Sequence, residues 1–195
     1  DDAFHTWDQL LGKFVTKEPL EKILEYTEHN IANDVVFASP GIAYRKLVSD
    51  GYYTGQIVKT TLEKGYLQPD FLTIGLVSNT LAFGMKENSV IIADGFPRTI
   101  AQSEALEKML TYYGREVVDI IYIELSKEEA IKRMKLRGRS DDTDEGMIAR
   151  FDEYVNNVIP SMNYFKDKAG YNLHAINGEQ SIEAVHQDII KALNL

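Results

Sequence analysis

Short apolar runs alternate along the chain with longer stretches of helical periodicity. "DVVFAS" (34–39), "SVIIAD" (89–94) and "VVDIIYIEL" (117–125) read as strands, and "YNLHAIN" (171–177) reads as a fourth, weaker one. Helices are expected over 19–30, 42–48, 54–64, 69–83, 99–113, 126–137, 143–168 and 180–193. In the helix that opens at Thr99, Leu106, Met109, Leu110 and Tyr113 fall at i, i+3, i+4 and i+7, which makes one apolar stripe. Strand and helix alternating in this way predict an α/β fold, a three-layer arrangement with a central, mainly parallel sheet of about five strands and helices on both faces. Residues 40–83 place three helical segments between two strands, more than a crossover needs, so an inserted lobe is expected there within a single 1–195 domain.

The bulk numbers narrow the chemistry. A chain of 195 residues with 44% apolar content supports one substantial core. The formal net charge of -9 argues against a nucleic-acid partner held by bulk charge, so any polyanion needs a local cationic cluster. The absence of cysteine removes disulfides, thiolate nucleophiles and cysteine-ligated zinc, and fits a reducing, cytoplasmic setting. No apolar run reaches the roughly 18 residues of a membrane span, so no membrane partner is expected. The first residues are Asp-Asp-Ala-Phe-His, without a methionine, so loss of the native N-terminus is one reading of what precedes Asp34.

Three stretches could carry chemistry. In "IIADGFPRT" (91–99) a strand ends on Asp94, Gly95, Pro97 and Arg98. Ligands of open parallel sheets sit beyond such carboxyl ends. There a carboxylate can organise water around magnesium and an arginine can grip phosphate bidentately. The same residues also read as an acid that orders a turn beside a solvated arginine. In "IKRMKLRGRSDD" (131–142), five of the eight residues from Lys132 to Arg139 are basic, and Arg133 and Arg137 share a helix face. Clustered arginines suit phosphoryl oxygens, although cations in a last helical turn also satisfy the macrodipole. Asp142 with Glu145 is expected to form a capping box for the next helix, which carries Arg150. In "FASPGIAYRKL" (37–47), a strand and a Ser-Pro-Gly turn lead to a helix bearing Arg45, either an anion site or an ordinary turn.

Taken in order, these segments resemble the adenylate kinase family of nucleoside monophosphate kinases from about Asp34 to the C-terminus. "DGFPRT" (94–99) matches the family's most recognisable motif, and "GQIVKTTLEKGYLQPD" (55–70) is similar to its Gly-rich segment ending in Pro-Asp. "RMKLRGRSDDTDEGMIARFDEY" (133–154) resembles its stretch of spaced arginines and paired aspartate. The resemblance implies a P-loop-kinase-like fold and phosphoryl transfer from Mg-ATP to AMP, giving ADP, by a monomer. It also implies that Mg2+ enters with ATP and has no direct protein ligand. Gly41, Arg45, Leu62, Gln68, Gly95, Arg98 and Gln102 would form the AMP site, with Arg45 and Arg98 on the phosphate and Gln102 reading adenine. Arg133 would stack on the donor base, Arg137, Arg139 and Arg150 would clamp the transferring group, and Asp94 would sit by magnesium through water. Pro40 stands where the family usually has threonine, and the lid (about 137–142) is of the short type. Thr99-x-x-Gln102 also reads as a capping box, which offers Gln102 a structural task.

The departure lies upstream. The family's phosphate loop, G-x-x-x-x-G-K-[GS]-[ST], is not found in residues 1–33. The equivalent place, "LLGKFVTKEPLEKIL" (10–24), keeps Gly12 with Lys13 and Lys17, the candidate ATP-phosphate ligands, but has bulky Phe14 and Val15 and the acid Glu18. A lost N-terminus, a degenerate loop that binds nucleotide without efficient transfer, and replacement by the arginines with Lys13 or Lys17 are all compatible with this. Residues 4–11 are expected either to act as the central strand or to be helical.

Overall fold

Two pairs of parallel strands carry the architecture. A computed structural model of the chain describes residues 35–137 and 143–195. Lys13, Lys17, Arg139, the helix expected over 19–30 and the strand expected near 4–11 lie outside the described residues. β1 (Val35–Ala38) pairs with β2 (Val90–Ala93), and β3 (Val118–Glu124) pairs with β4 (Tyr171–Asn177). About five strands were expected in one sheet. Four are present among the described residues, as two separate pairs.

Between β1 and β2 run α1 (Pro40–Ser49), α2 (Tyr53–Glu63) and α3 (Asp70–Gly84). α4 (Ile100–Tyr112) connects β2 to β3. α5 (Lys127–Arg137), α6 (Asp144–Glu153), a π-helical turn (Tyr154–Val158) and α7 (Ile159–Phe165) lie between β3 and β4, and α8 (Ile182–Ala192) follows.

The apolar stripes explain the layering. Val36 and Ala38 of β1 pack with Val77 and Leu81 of α3, Leu106 and Leu110 of α4, and Phe165 at the end of α7. Ile91 of β2 and both Val118 and Ile120 of β3 lie against the same cluster, so both strand pairs contribute to one core. A second cluster joins Ile123 and Ile176 of the β3–β4 pair to Val185 and Ile189 of α8 and to Val158. Each of the fully buried valine, leucine, isoleucine and phenylalanine side chains contributes about 1.5–3 kcal/mol.

The single helix expected over 143–168 is interrupted, and Pro160 gives the reason. Proline has no N–H and its ring crowds the carbonyl one turn back. The chain widens in the preceding turn, where Ile159 N–H bonds to Tyr154 O, five residues away. The start of α6 also differs from the expected Asp142–Glu145 box. Its cap is Thr143, whose Oγ1 accepts from Gly146 N–H at 3.0 Å.

Register fixes the place of the site. Ala38 stands opposite Ala93, so β1 and β2 end level, and Asp94 N–H continues the ladder onto Ala38 O at 3.0 Å. Ser39 and Asp94 thereby emerge side by side from the carboxyl ends of neighbouring parallel strands.

Candidate active site

The chain beyond β2 turns sharply. Gly95 takes φ +64°, a left-handed conformation suited to glycine, and the Phe96–Pro97 peptide is cis. Phe96 is buried in the main core and anchors this turn from below. Arg98 is consequently held inward, and its Nε donates to Gly95 O at 3.0 Å.

Ser39 is the N-cap residue of α1, yet its hydroxyl caps nothing in that helix. It donates instead to Asp94 Oδ2 at 2.9 Å. Burial pushes the Asp94 carboxyl above the usual range, while the Ser39 hydroxyl, Arg98 and Arg45 pull it back. Burial likewise lowers Arg98, to about 10, against the attraction of Asp94 and Tyr44, while Arg150 repels it. Arg98 and Arg45 thus lie within electrostatic reach of Asp94, and Arg150 within reach of Arg98, although these residues come from the β2–α4 turn, α1 and α6. Arg98 and Arg150 are 8% and 3% exposed. Buried guanidinium groups need partners, and Arg98 has the Asp94 carboxyl in electrostatic reach and the Gly95 carbonyl as an acceptor.

One cavity gathers most of the expected acceptor residues. Leu62, Gln68, Gly95, Arg98, Gln102 and Arg150 all line it. Gly41 is buried in the first turn of α1 but does not line this cavity, and neither do Asp94 and Arg45, which interact electrostatically with each other. Arg133 belongs to a different place. Its Nε donates to Glu129 Oε1 at 2.6 Å and its Nη1 to Gly178 O at 3.0 Å, beside the end of β4. Arg137 closes α5.

Several lining groups were not singled out from the sequence. Tyr44, one residue before Arg45, shares a 2.5 Å hydrogen bond with Thr73 of α3. Burial raises its phenol. Tyr66 and Glu153 complete the rim. Gln68 donates to Val58 O at 3.3 Å. Gln102 forms only half of the expected capping box. Its N–H goes to Thr99 Oγ1, but its side-chain Oε1 accepts from Arg98 N–H at 2.9 Å rather than from the Thr99 N–H. Asp70, which closes the Gly-rich segment, reaches both Thr99 and Gln102.

As chemistry, the site offers two buried guanidinium groups lining a cavity, a neutral amide with directional hydrogen bonds, and the buried Asp94 carboxyl within electrostatic reach of Arg98. Among the described residues there is no cluster of three or more histidines, cysteines or carboxylates able to hold a metal ion. No described helix is long and apolar enough to cross a membrane.

A family model described as adenylate kinase matches residues 28–170. The chain is 35% identical over 159 residues to the adenylate kinase of Phocaeicola vulgatus, covering 80% of this chain and 82% of that protein. It is 39% identical over 145 residues to the adenylate kinase of Parabacteroides distasonis, covering 72% and 74%. It is 31% identical over 183 residues to that of Dehalococcoides mccartyi, covering 78% and 83%. The chain belongs to the adenylate kinase family.

Proposed function

We propose that the protein transfers the γ-phosphoryl group of Mg-ATP to AMP, reversibly, giving two ADP. The observation that supports this most directly is the cavity beyond the end of β2, which Arg98, Arg150 and Gln102 all line. Phosphoryl transfer asks little covalent chemistry of a protein. It asks for alignment of two nucleotides and for positive charge around the group in flight.

Arg98 and Arg45 would hold the acceptor phosphate, and Gln102 would read the base, with Gly41, Leu62, Gln68 and Gly95 shaping its pocket. Arg150, together with Arg137 and Arg139, would stabilise the transferring group. Arg133, already held rigid by Glu129 and the Gly178 carbonyl, would face the donor base. Magnesium keeps most of its waters and is held chiefly by substrate phosphates. A lone buried carboxylate such as Asp94 fits contact through water better than direct ligation. The 40–83 segment would act as the acceptor lobe, closing with the short lid to keep water from competing for the phosphoryl group. A cytoplasmic monomer is the setting proposed.

A second reading has its own support in the sequence of residues 1–33, which lacks a phosphate loop of the usual form. In it the chain keeps AMP binding without transfer. Incubation with Mg-ATP and AMP, followed by measurement of ADP, separates the two. ADP formation that is lost in Arg98→Ala supports the kinase, whereas calorimetric AMP binding without ADP supports the second reading. Neither binding nor turnover would sink both.

A further inference from the structure

Gln102 is 2% exposed, so its side-chain amide has no bulk water to fall back on. Its Nε2 donates to Asp70 Oδ1 at 2.8 Å. Its Oε1 accepts from Arg98 N–H at 2.9 Å. An ionised carboxylate can only accept and a main-chain N–H can only donate. The two ends of the amide are therefore each matched to a partner of fixed character. Turning the amide over would set N–H against N–H and oxygen against oxygen in a buried place, which is costly. Thr99 strengthens the lock. Its Oγ1 already accepts from Gln102 N–H at 3.2 Å and gives its own hydrogen to the same Asp70 oxygen at 2.9 Å.

Asp70 comes from a different element. It is the first residue of α3, at a helix N-terminus where a carboxylate is favoured. It reaches Gln102 across 32 positions of sequence. Gln102 itself faces the cavity. Once both bonds are made, the amide still has one N–H at Nε2 and one lone pair at Oε1, a donor and an acceptor in fixed order.

A 6-aminopurine presents an amino donor beside a ring-nitrogen acceptor. A 6-oxopurine presents an oxygen acceptor at the same place. A glutamine that turns freely can read either base, but one held in a single sense favours the base whose order matches, once ribose and phosphate fix the base's pose. We infer that Asp70 is a positioning residue that fixes the sense of the Gln102 amide and so makes the acceptor pocket select a 6-amino over a 6-oxo purine monophosphate. The inference rests on the AMP reading above and deepens it.

The test is calorimetric titration of the full chain with AMP and with IMP, for the unsubstituted protein and for Asp70→Ala, Asp70→Leu and Asp70→Asn. The unsubstituted chain is expected to prefer AMP. Asp70→Ala, and Asp70→Leu, which restores volume without an acceptor, are expected to narrow the AMP-to-IMP affinity ratio by about tenfold, the scale of one hydrogen bond to a charged group. Asp70→Asn keeps a side-chain oxygen and is expected to retain the ratio within about threefold. Equal weakening of both nucleotides would mark Asp70 as merely structural and overturn the inference. If the unsubstituted chain binds AMP but Asp70 leaves the ratio untouched, the inference alone fails. If it binds neither nucleotide, the AMP reading fails with it. Should the alanine and leucine variants not fold, the Nε2 protons of Gln102 in the unsubstituted chain decide by NMR. On addition of AMP one proton should shift while the one held by Asp70 stays, and movement of both would overturn the inference.

Discussion

Ser39 Oγ donates to Asp94 Oδ2 at 2.9 Å across the carboxyl ends of two adjacent parallel strands. The bond opposes the burial that raises the Asp94 carboxyl. Ser39→Ala removes that support, so the acid is harder to ionise. For a group that acts as a carboxylate, the acid limb of the kcat profile is then expected to move to higher pH. The limb should move by about one to two pH units, the worth of one hydrogen bond to a charged group, with little change on the plateau above it. An unchanged pH profile would detach Asp94 from the reaction.

Arg98 and Arg150 face the same cavity from the β2–α4 turn and from α6. Removing either should lower kcat by roughly 10²–10³, as for other charge-stabilising donors. Lysine should restore little, because it lacks the planar fork that meets phosphate at two points. Steady-state kinetics of Arg98→Lys and Arg150→Lys test this. Recovery to near the original rate would show that charge alone matters.

Gly65 takes φ +77°, and a Cβ there would lie 2.4 Å from Gly146 O of α6. The turn after α2 thus presses against the start of α6 with no room for a side chain. Gly65→Ala is expected to cost about 1–2 kcal/mol from the left-handed backbone alone. It should also weaken AMP binding more than it raises KM for ATP, since Gly65 lines the acceptor cavity. Thermal melting combined with AMP titration checks both parts. Loss of stability with unaltered AMP affinity would refute the second.

Much of this was legible from pattern. The strands expected over 34–39, 89–94, 117–125 and 171–177 form within a residue or so of those bounds, because alternating or continuous apolar runs report burial directly. The convergence of Arg98, Gln102 and Arg150 on one cavity followed the motifs. What pattern did not carry is contact between distant side chains. Asp70 lies inside a quoted motif, but nothing local says that its carboxylate meets Thr99 and Gln102. The cap at Thr143 was missed because Asp142 offered an equally good box on paper. The π-turn was not anticipated, because apolar periodicity alone runs through Pro160 and gives one helix over 143–168. The Arg133–Glu129 pair was available from i, i+4 spacing, whereas its bond to the Gly178 carbonyl was not.

Ser103 and Ser161, both fully buried, share a 2.8 Å hydroxyl contact that joins α4 to α7. Ser103→Ala leaves the Ser161 hydroxyl short of a partner, at a cost of about 1–3 kcal/mol. Ser161→Ala should cost less, because Ser103 Oγ keeps the Thr99 carbonyl. The double alanine variant should cost less than the sum of the singles, with a coupling of about 1 kcal/mol. Urea unfolding of the four proteins measures it. Strict additivity would mean that the contact between the two hydroxyls adds nothing, Ser103 being satisfied by the Thr99 and Ser161 carbonyls it also approaches.

Glu107 of α4 accepts from Lys168 Nζ at 2.7 Å and from the Tyr164 hydroxyl at 2.5 Å, tying α4 to the end of α7. The same ammonium lies 3.7 Å from the centroid of the Tyr164 ring, which holds the three groups in register. The bonds from Lys168 and then Tyr164 hold the carboxyl of Glu107 below its ordinary value. A lowered folded value means that the unfolded chain takes up the proton first as pH falls. The stabilisation is therefore complete above the unfolded value of about 4.3 and is lost as pH drops through the lowered folded value. Both side chains of the ion pair are 32% exposed, so solvent screening limits the effect to about 0.5–1 kcal/mol. Glu107→Gln should accordingly be less stable than the unsubstituted chain at pH 7 and should converge with it in acid, below the lowered value. Denaturant melts at both pH values measure the gap, and a gap that stays constant across the range would show that shape, rather than charge, holds this corner together.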